Sequence, residues 1–180
     1  EEDKDRHAGS CSLCLDLDGD SDKEILIGDI GCCNIKMLMN TGSPTSADMT
    51  SYDTLFPSYD FPVNIMIFPC GYFLDVDNDN KRDLLFSPNA ENASINETSI
   101  WFYKNTGTDS APVFSRIQKD FLQNEMIERG AGADPVFLDF NSDNLIDLLI
   151  SNYSAVDDSC PAPVVENYNV HLYKNIGTPS

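Results

Sequence analysis

An acidic segment of 13 residues occurs three times in this chain, in register and without gaps. The copies run Leu15-Asp-Leu-Asp-Gly-Asp-Ser-Asp-Lys-Glu-Ile-Leu-Ile27, Leu74-Asp-Val-Asp-Asn-Asp-Asn-Lys-Arg-Asp-Leu-Leu-Phe86 and Leu138-Asp-Phe-Asn-Ser-Asp-Asn-Leu-Ile-Asp-Leu-Leu-Ile150. Their first acids, Asp16, Asp75 and Asp139, lie 59 and 64 residues apart. A second marker follows each copy: Lys36-Met-Leu-Met-Asn-Thr-Gly42, Trp101-Phe-Tyr-Lys-Asn-Thr-Gly107 and His171-Leu-Tyr-Lys-Asn-Ile-Gly177. Each is a strand-like run closed by an Asn-x-Gly turn signal. Two markers recurring in one order define an internal repeat, and the fold must be built from that repeated unit.

Each unit reads strand, acidic loop, strand, variable loop, strand, turn, strand. The second shows it best, with strands around Tyr72–Leu74, Leu84–Phe86, Ile100–Lys104 and Val113–Ser115. Four short antiparallel strands per unit make a β-propeller blade. The expected fold is therefore all-β, with about three four-stranded repeats. Residues 1–10 form a polar N-terminal tail. Blade 1 and its link take 11–69, blade 2 and its link take 70–134, and a truncated blade 3 takes 135–180. Closed propellers use about four to eight blades, so further blades, from the same chain or a partner, are expected to complete a larger ring. The best helical signal is Asp120–Arg129.

The acids fall at positions 1, 3, 5 and 9 of each loop. Loop one offers Asp16, Asp18, Asp20 and Glu24; loop two Asp75, Asp77, Asp79 and Asp83; loop three Asp139, Asn141, Asp143 and Asp147. Backbone carbonyls at position 7 come from Asp22, Lys81 and Leu145. Calcium, a hard cation, takes six to eight oxygen ligands, and alternate carboxylates on a tight loop supply them. Magnesium fits less well because it keeps several waters. Such a turn needs residues that tolerate positive φ. Position 4 holds Gly19, Asn78 or Ser142, and position 6 holds Ser21, Asn80 or Asn144. An EF-hand needs a bidentate Glu at position 12 between helices; here position 12 is Ile27, Phe86 or Ile150, inside β-like runs. Up to three Ca2+ ions are expected.

Composition excludes several partners. Eleven Lys+Arg stand against 30 Asp+Glu, for a formal charge of −19. Phosphate binding needs a basic surface, so nucleic acid and anionic membrane are excluded as partners. No apolar run approaches the ~20 residues of a membrane span. No nucleophile elbow, P-loop or zinc-protease motif is present, so no enzyme is indicated. The six cysteines fit disulfides in an oxidising compartment, but their spacing does not give the connectivity.

The loop pattern, followed by Leu/Ile-Leu-Ile/Phe, resembles the FG-GAP repeat, also grouped as the VCBS repeat, over about 165 residues. Tyr103–Phe114 is similar to its bacterial secreted branch. The loop glycines depart from that pattern, and the cysteines lie outside it. The resemblance implies an integrin-α-like propeller in a secreted or cell-surface protein, bacterial in origin. There calcium ties down the loop between the first two strands of a blade.

From first loop acid to turn Asn the spacing grows from 24 to 30 to 36 residues, so the second variable loop is where insertions accumulate, over 88–98 and 151–168. Antiparallel strands place these insertions opposite the calcium loops, together with the links Thr54–Pro69 and Ile117–Pro135. Loops on a rigid scaffold carry recognition. A protein or glycan ligand on that face is expected, with Asn92, Tyr59, Tyr153 and Tyr168 as contacts. Two functions follow: an adhesion or protein-interaction module, or a carbohydrate-binding propeller attached to an enzyme domain elsewhere. Trp101, Phe102 and Tyr103 suit an aromatic sugar platform less than core packing, because strand alternation buries at least one face.

Overall fold

A computed structural model of the chain describes residues 9–90, 94–130, 132–153, 155–156, 164–165 and 169–178. These residues form an all-β molecule. The first sheet is a four-stranded antiparallel meander of β1 (Ser10–Leu15), β2 (Glu24–Asp29), β3 (Lys36–Asn40) and β4 (Met49–Asp53). The second repeats it with β5 (Pro69–Leu74), β6 (Asp83–Pro88), β7 (Trp101–Asn105) and β8 (Phe114–Gln118). The third has three strands, β9 (Asp134–Leu138), β10 (Asp147–Asn152) and β13 (Asn169–Tyr173). A ribbon of β11 (Ala155–Val156) and β12 (Val164–Val165) branches from it. That ribbon is the largest insertion in the second variable loop. It shows how the third unit lengthens without altering its strands.

The registers of the three sheets are equivalent. Leu15 pairs with Glu24, Leu74 with Asp83 and Leu138 with Asp147, so each acidic loop closes the same hairpin. Ile25 pairs with Leu38, Leu84 with Tyr103 and Leu148 with Tyr173, so the third strands also correspond residue by residue. Alternation drives this order. In β2, Glu24, Leu26 and Gly28 face inward, while Ile25, Ile27 and Asp29 are half-buried.

The core lies between the first two sheets. Leu15, Leu26, Ile35, Leu84, Phe86, Trp101, Tyr103 and Phe114 form it, joined by Phe56, Val63 and Ile65. The last three come from the link between the sheets, so this link is a packing element as well as a loop. It is also held by polar contacts. Tyr103 Oη donates to Phe61 O at 2.9 Å, and Asp60 accepts from Ser115 Oγ and Arg116 N. Close approach of the sheets needs a glycine: a Cβ on Gly28 would sit 1.6 Å from Pro69 O. Cys11 and Cys70 are joined by a disulfide across this interface.

Trp101, Phe102 and Tyr103 are all buried. Neighbouring strand residues face opposite sides, so this sheet is covered on both. Phe102 meets Phe121, and Trp101 Nε1 donates to Thr98 O. The expected helix over Asp120–Arg129 is only a 3-10 turn at Gln123–Glu125. Leu122 has φ 67°, which breaks any helix entering there. Gln123 instead uses its side chain on the insertion, accepting from Ser99 N and Ile100 N and donating to Asn96 O. No helix among the described residues is long and apolar enough to cross a membrane.

Candidate metal centre

The three acidic loops share one backbone. Positions 4 and 6 are left-handed in every copy: Gly19 and Ser21, Asn78 and Asn80, Ser142 and Asn144. That double reversal turns successive amides inward, and the carboxylates accept them. Asp16 binds the amides of Gly19 and Ser21; Asp75 those of Asp79 and Asn80; Asp139 those of Asp143 and Asn144. The position-5 carboxylates Asp20, Asp79 and Asp143 each accept the position-7 amide, from Asp22, Lys81 and Leu145, at 2.9 Å. At position 3, Asp18, Asp77 and Asn141 accept the amides of Asp20, Asp79 and Asp143.

Position 9 is the buried floor of each loop. Glu24, Asp83 and Asp147 are at most 1% exposed, and each accepts the amide of position 2, from Leu17, Val76 or Phe140. Asp83 and Asp147 use their second oxygen on the amide of the turn asparagine, Asn105 at 2.8 Å and Asn175 at 2.7 Å. The asparagine closes the circuit, donating to Arg82 O or Ile146 O at position 8. The Asn-x-Gly marker is thus the partner of the loop floor as well as a turn signal.

Loop one differs here. Glu24 Oε1 and both carboxylate oxygens of Asp22 are buried without a hydrogen-bond partner. Asp22 is 1% exposed, so its side chain, and not only its carbonyl, belongs to the site. Burial pushes the Asp22 carboxyl above its usual range, with the charge of Asp20 adding to it. Burial likewise raises Glu24, against a lowering hydrogen bond from Leu17. Buried anionic oxygens without partners cost several kcal/mol unless a cation meets them.

Carboxylate oxygens converge within 4.8 Å in two overlapping groups of loop one, Asp16, Asp18 and Glu24, then Asp20, Asp22 and Glu24. Loop two brings together Asp75, Asp77 and Asp83. An all-oxygen, multiply anionic donor set of this kind fits a hard divalent cation. In loop three no such group of three forms among the described residues. Asn141 stands at position 3 and donates its side-chain amide to Asp143 at 2.9 Å.

Comparison of the chain with protein-family models, curated proteins and solved structures finds no match.

Two lysines reach the acidic loops. Lys104 pairs with Asp77 and, at 3.1 Å, with Asp79. It holds the Asp79 carboxyl below its usual range and is itself raised by both acids. Lys174 lies 3.8 Å from Asp143. Both stand immediately before the turn asparagine, so the repeat alignment contained the signal; only the strand direction shows that they reach the loop. Of the expected recognition contacts, Tyr153 and Tyr59 are both exposed, and the Tyr59 hydroxyl also accepts from Phe114 N. Asn92 and Tyr168 lie outside the described residues.

These shifts set a pH dependence for the protein without metal. Asp22 and Glu24 are raised, so their destabilising charge is present at neutral pH and is lost as pH falls through their folded values. Asp60, Asp79, Asp109 and Asp143 are lowered, so the stability they add disappears only at lower pH, below the usual carboxylate value of about 4. Melting temperature without metal is expected to rise as pH falls from neutral toward the carboxylate range and to drop once pH passes below the usual carboxylate value of about 4. A monotonic fall from neutral pH would contradict this assignment.

Proposed function

We propose that this chain is a calcium-stabilised repeat module of the FG-GAP/VCBS kind. Its three sheets serve as successive blades of a propeller belonging to a secreted or cell-surface protein. One observation carries the reading: the same loop, with two left-handed residues and a buried acidic floor, closes the same hairpin three times, and in the first two copies its carboxylates converge. The role of the cation is structural. It neutralises the convergent carboxylates and, in the second and third sheets, steadies the floor acid that ties the first two strands to the third through the turn asparagine. The Cys11–Cys70 disulfide supports an oxidising location.

The ligand-presenting face is the end opposite the calcium loops. There the insertion turn Asn96–Thr98 packs against the link turn Gln123–Glu125, which gives the variable loops a firm base. A protein partner in adhesion is the favoured reading, since the adjacent Trp101, Phe102 and Tyr103 are buried and offer no platform for a sugar ring. Calorimetric titration of metal-stripped protein with calcium tests the first half. Saturable binding is expected, and its absence would overturn the proposal. Glycan arrays run with and without calcium test the second: specific glycan capture would favour a carbohydrate-binding module instead.

A further inference from the structure

The three loops share a fold but not a charge balance, and the difference sits on one strand position. The residue before the turn asparagine is Met39 on β3, Lys104 on β7 and Lys174 immediately after β13. Lys104 lies on two carboxylates of loop two, and Lys174 lies near one of loop three. Among the described residues, no ion pair reaches an acid of loop one. Its own Lys23, at position 8, is exposed to solvent.

Two further substitutions act in the same direction. Position 7 is Asp22 in loop one but Lys81 and Leu145 in the others, so only loop one gains an acid there. Position 9 is Glu24 against Asp83 and Asp147. Both oxygens of each aspartate are engaged by backbone amides, whereas Glu24 keeps Oε1 buried and without a partner beside Asp22. A cation entering loop one meets three buried oxygens that nothing else satisfies. A cation entering loop two must first displace an ammonium from Asp77 and Asp79.

We infer that the loops fill in order, with loop one the tight calcium site and Lys104 and Lys174 acting as resident competitors that hold loops two and three at lower affinity. This rests on the calcium reading above. It makes the occupancy of the second and third sheets responsive to calcium concentration, while the first remains loaded. Opposite charges already in contact must be separated before a new cation binds, so each lysine lowers the apparent affinity of its own loop.

The test is calorimetric titration of calcium chloride into the metal-stripped chain and three variants, each checked for its native circular dichroism. The parent is expected to show one tight site and weaker ones. K104M is expected to tighten one weak site by about fivefold, the upper range for a partly exposed ion pair. M39K is expected to weaken the tight site by a similar factor of about five. D22N is expected to weaken the tight site about tenfold and to raise the melting temperature of the metal-free protein, an effect that loss of a merely structural contact would not produce. No calcium binding by the parent would overturn both this inference and the calcium reading. Binding at equal sites, or an order unmoved by M39K and K104M, would overturn the inference alone. Should K104M not fold, M39K and D22N decide it.

Discussion

Chelation of calcium is expected to lower the melting temperature by about 5 °C or more for loop one alone and by about 15 °C or more for all three loops. A cation that binds only the folded state adds about 2.7 kcal/mol per site at one hundred times its dissociation constant. A domain of this size moves by roughly 2–4 °C per kcal/mol. The structural reason is strongest in the first sheet. Without a cation, Asp16, Asp18, Asp20, Asp22 and Glu24 crowd one turn, and three of their oxygens are buried and unpaired. Each loop also spans the hairpin that starts its sheet, so loosening it frees the floor acid. In the second and third sheets that acid holds Asn105 or Asn175 on the third strand. Scanning calorimetry in calcium and in excess chelator measures the shift. Identical melts would show that the loops are satisfied by their own amides.

The second large effect concerns Cys11–Cys70. The bond joins strands β1 and β5 across the core between the first two sheets, and it closes a loop with a sequence separation of 59. That separation is also the repeat period: both cysteines stand five residues before the first loop acid of their unit. The cross-link ties equivalent positions on neighbouring sheets. Chain-entropy arguments assign a loop of this length about 4 kcal/mol, hence a fall in melting temperature of roughly 8–16 °C on its removal. C11S/C70S, melted in saturating calcium, is the variant that isolates this effect. Urea unfolding should show a lower midpoint with a slope that reflects a more open denatured chain. An unchanged midpoint would mean that Gly28 packing and the buried link already hold the sheets together.

The bond was hidden in plain view in the sequence. Cys11 and Cys70 align in the repeat, but Cys14, Cys32 and Cys33 compete as partners by spacing alone. What decides is that β1 and β5 lie against each other, with Gly28 pressed on Pro69. Adjacency between units is not encoded in either unit separately.

The same division runs through the loops. Positions 4 and 6 were readable as left-handed from Gly19, Asn78, Ser142 and their neighbours, because that conformation depends on local sterics. The acids at positions 1, 3, 5 and 9 were readable for a similar reason, since one short turn gathers them. The sequence offers the Asp22 carbonyl at position 7 but does not show that its carboxylate joins the cluster. That carboxylate is buried because the loop folds over it, and burial depends on the packing of the whole hairpin. Phe56, Val63 and Ile65 lie in a stretch with strand-breaking prolines and no clear period, so they read as loop. They become core because two sheets leave a gap that the link fills. The Asp120–Arg129 segment failed in the opposite way, its helical pattern overridden by the demand for Gln123 on the neighbouring insertion.

The sequence by itself therefore determined the unit: four strands in order, an oxygen-rich turn between the first two, an asparagine turn between the last two. All of these depend on residues within a few positions of one another. Only the tertiary structure decided what each unit meets. It placed Lys104 and Lys174 on the acidic loops and Met39 at the same position in the first sheet. It left the oxygens of Asp22 and Glu24 buried without partners, and it joined Cys11 to Cys70. The lysine pairs and the disulfide join segments far apart in sequence, and the burial of Asp22 and Glu24 comes from packing over the whole hairpin, which no local pattern records.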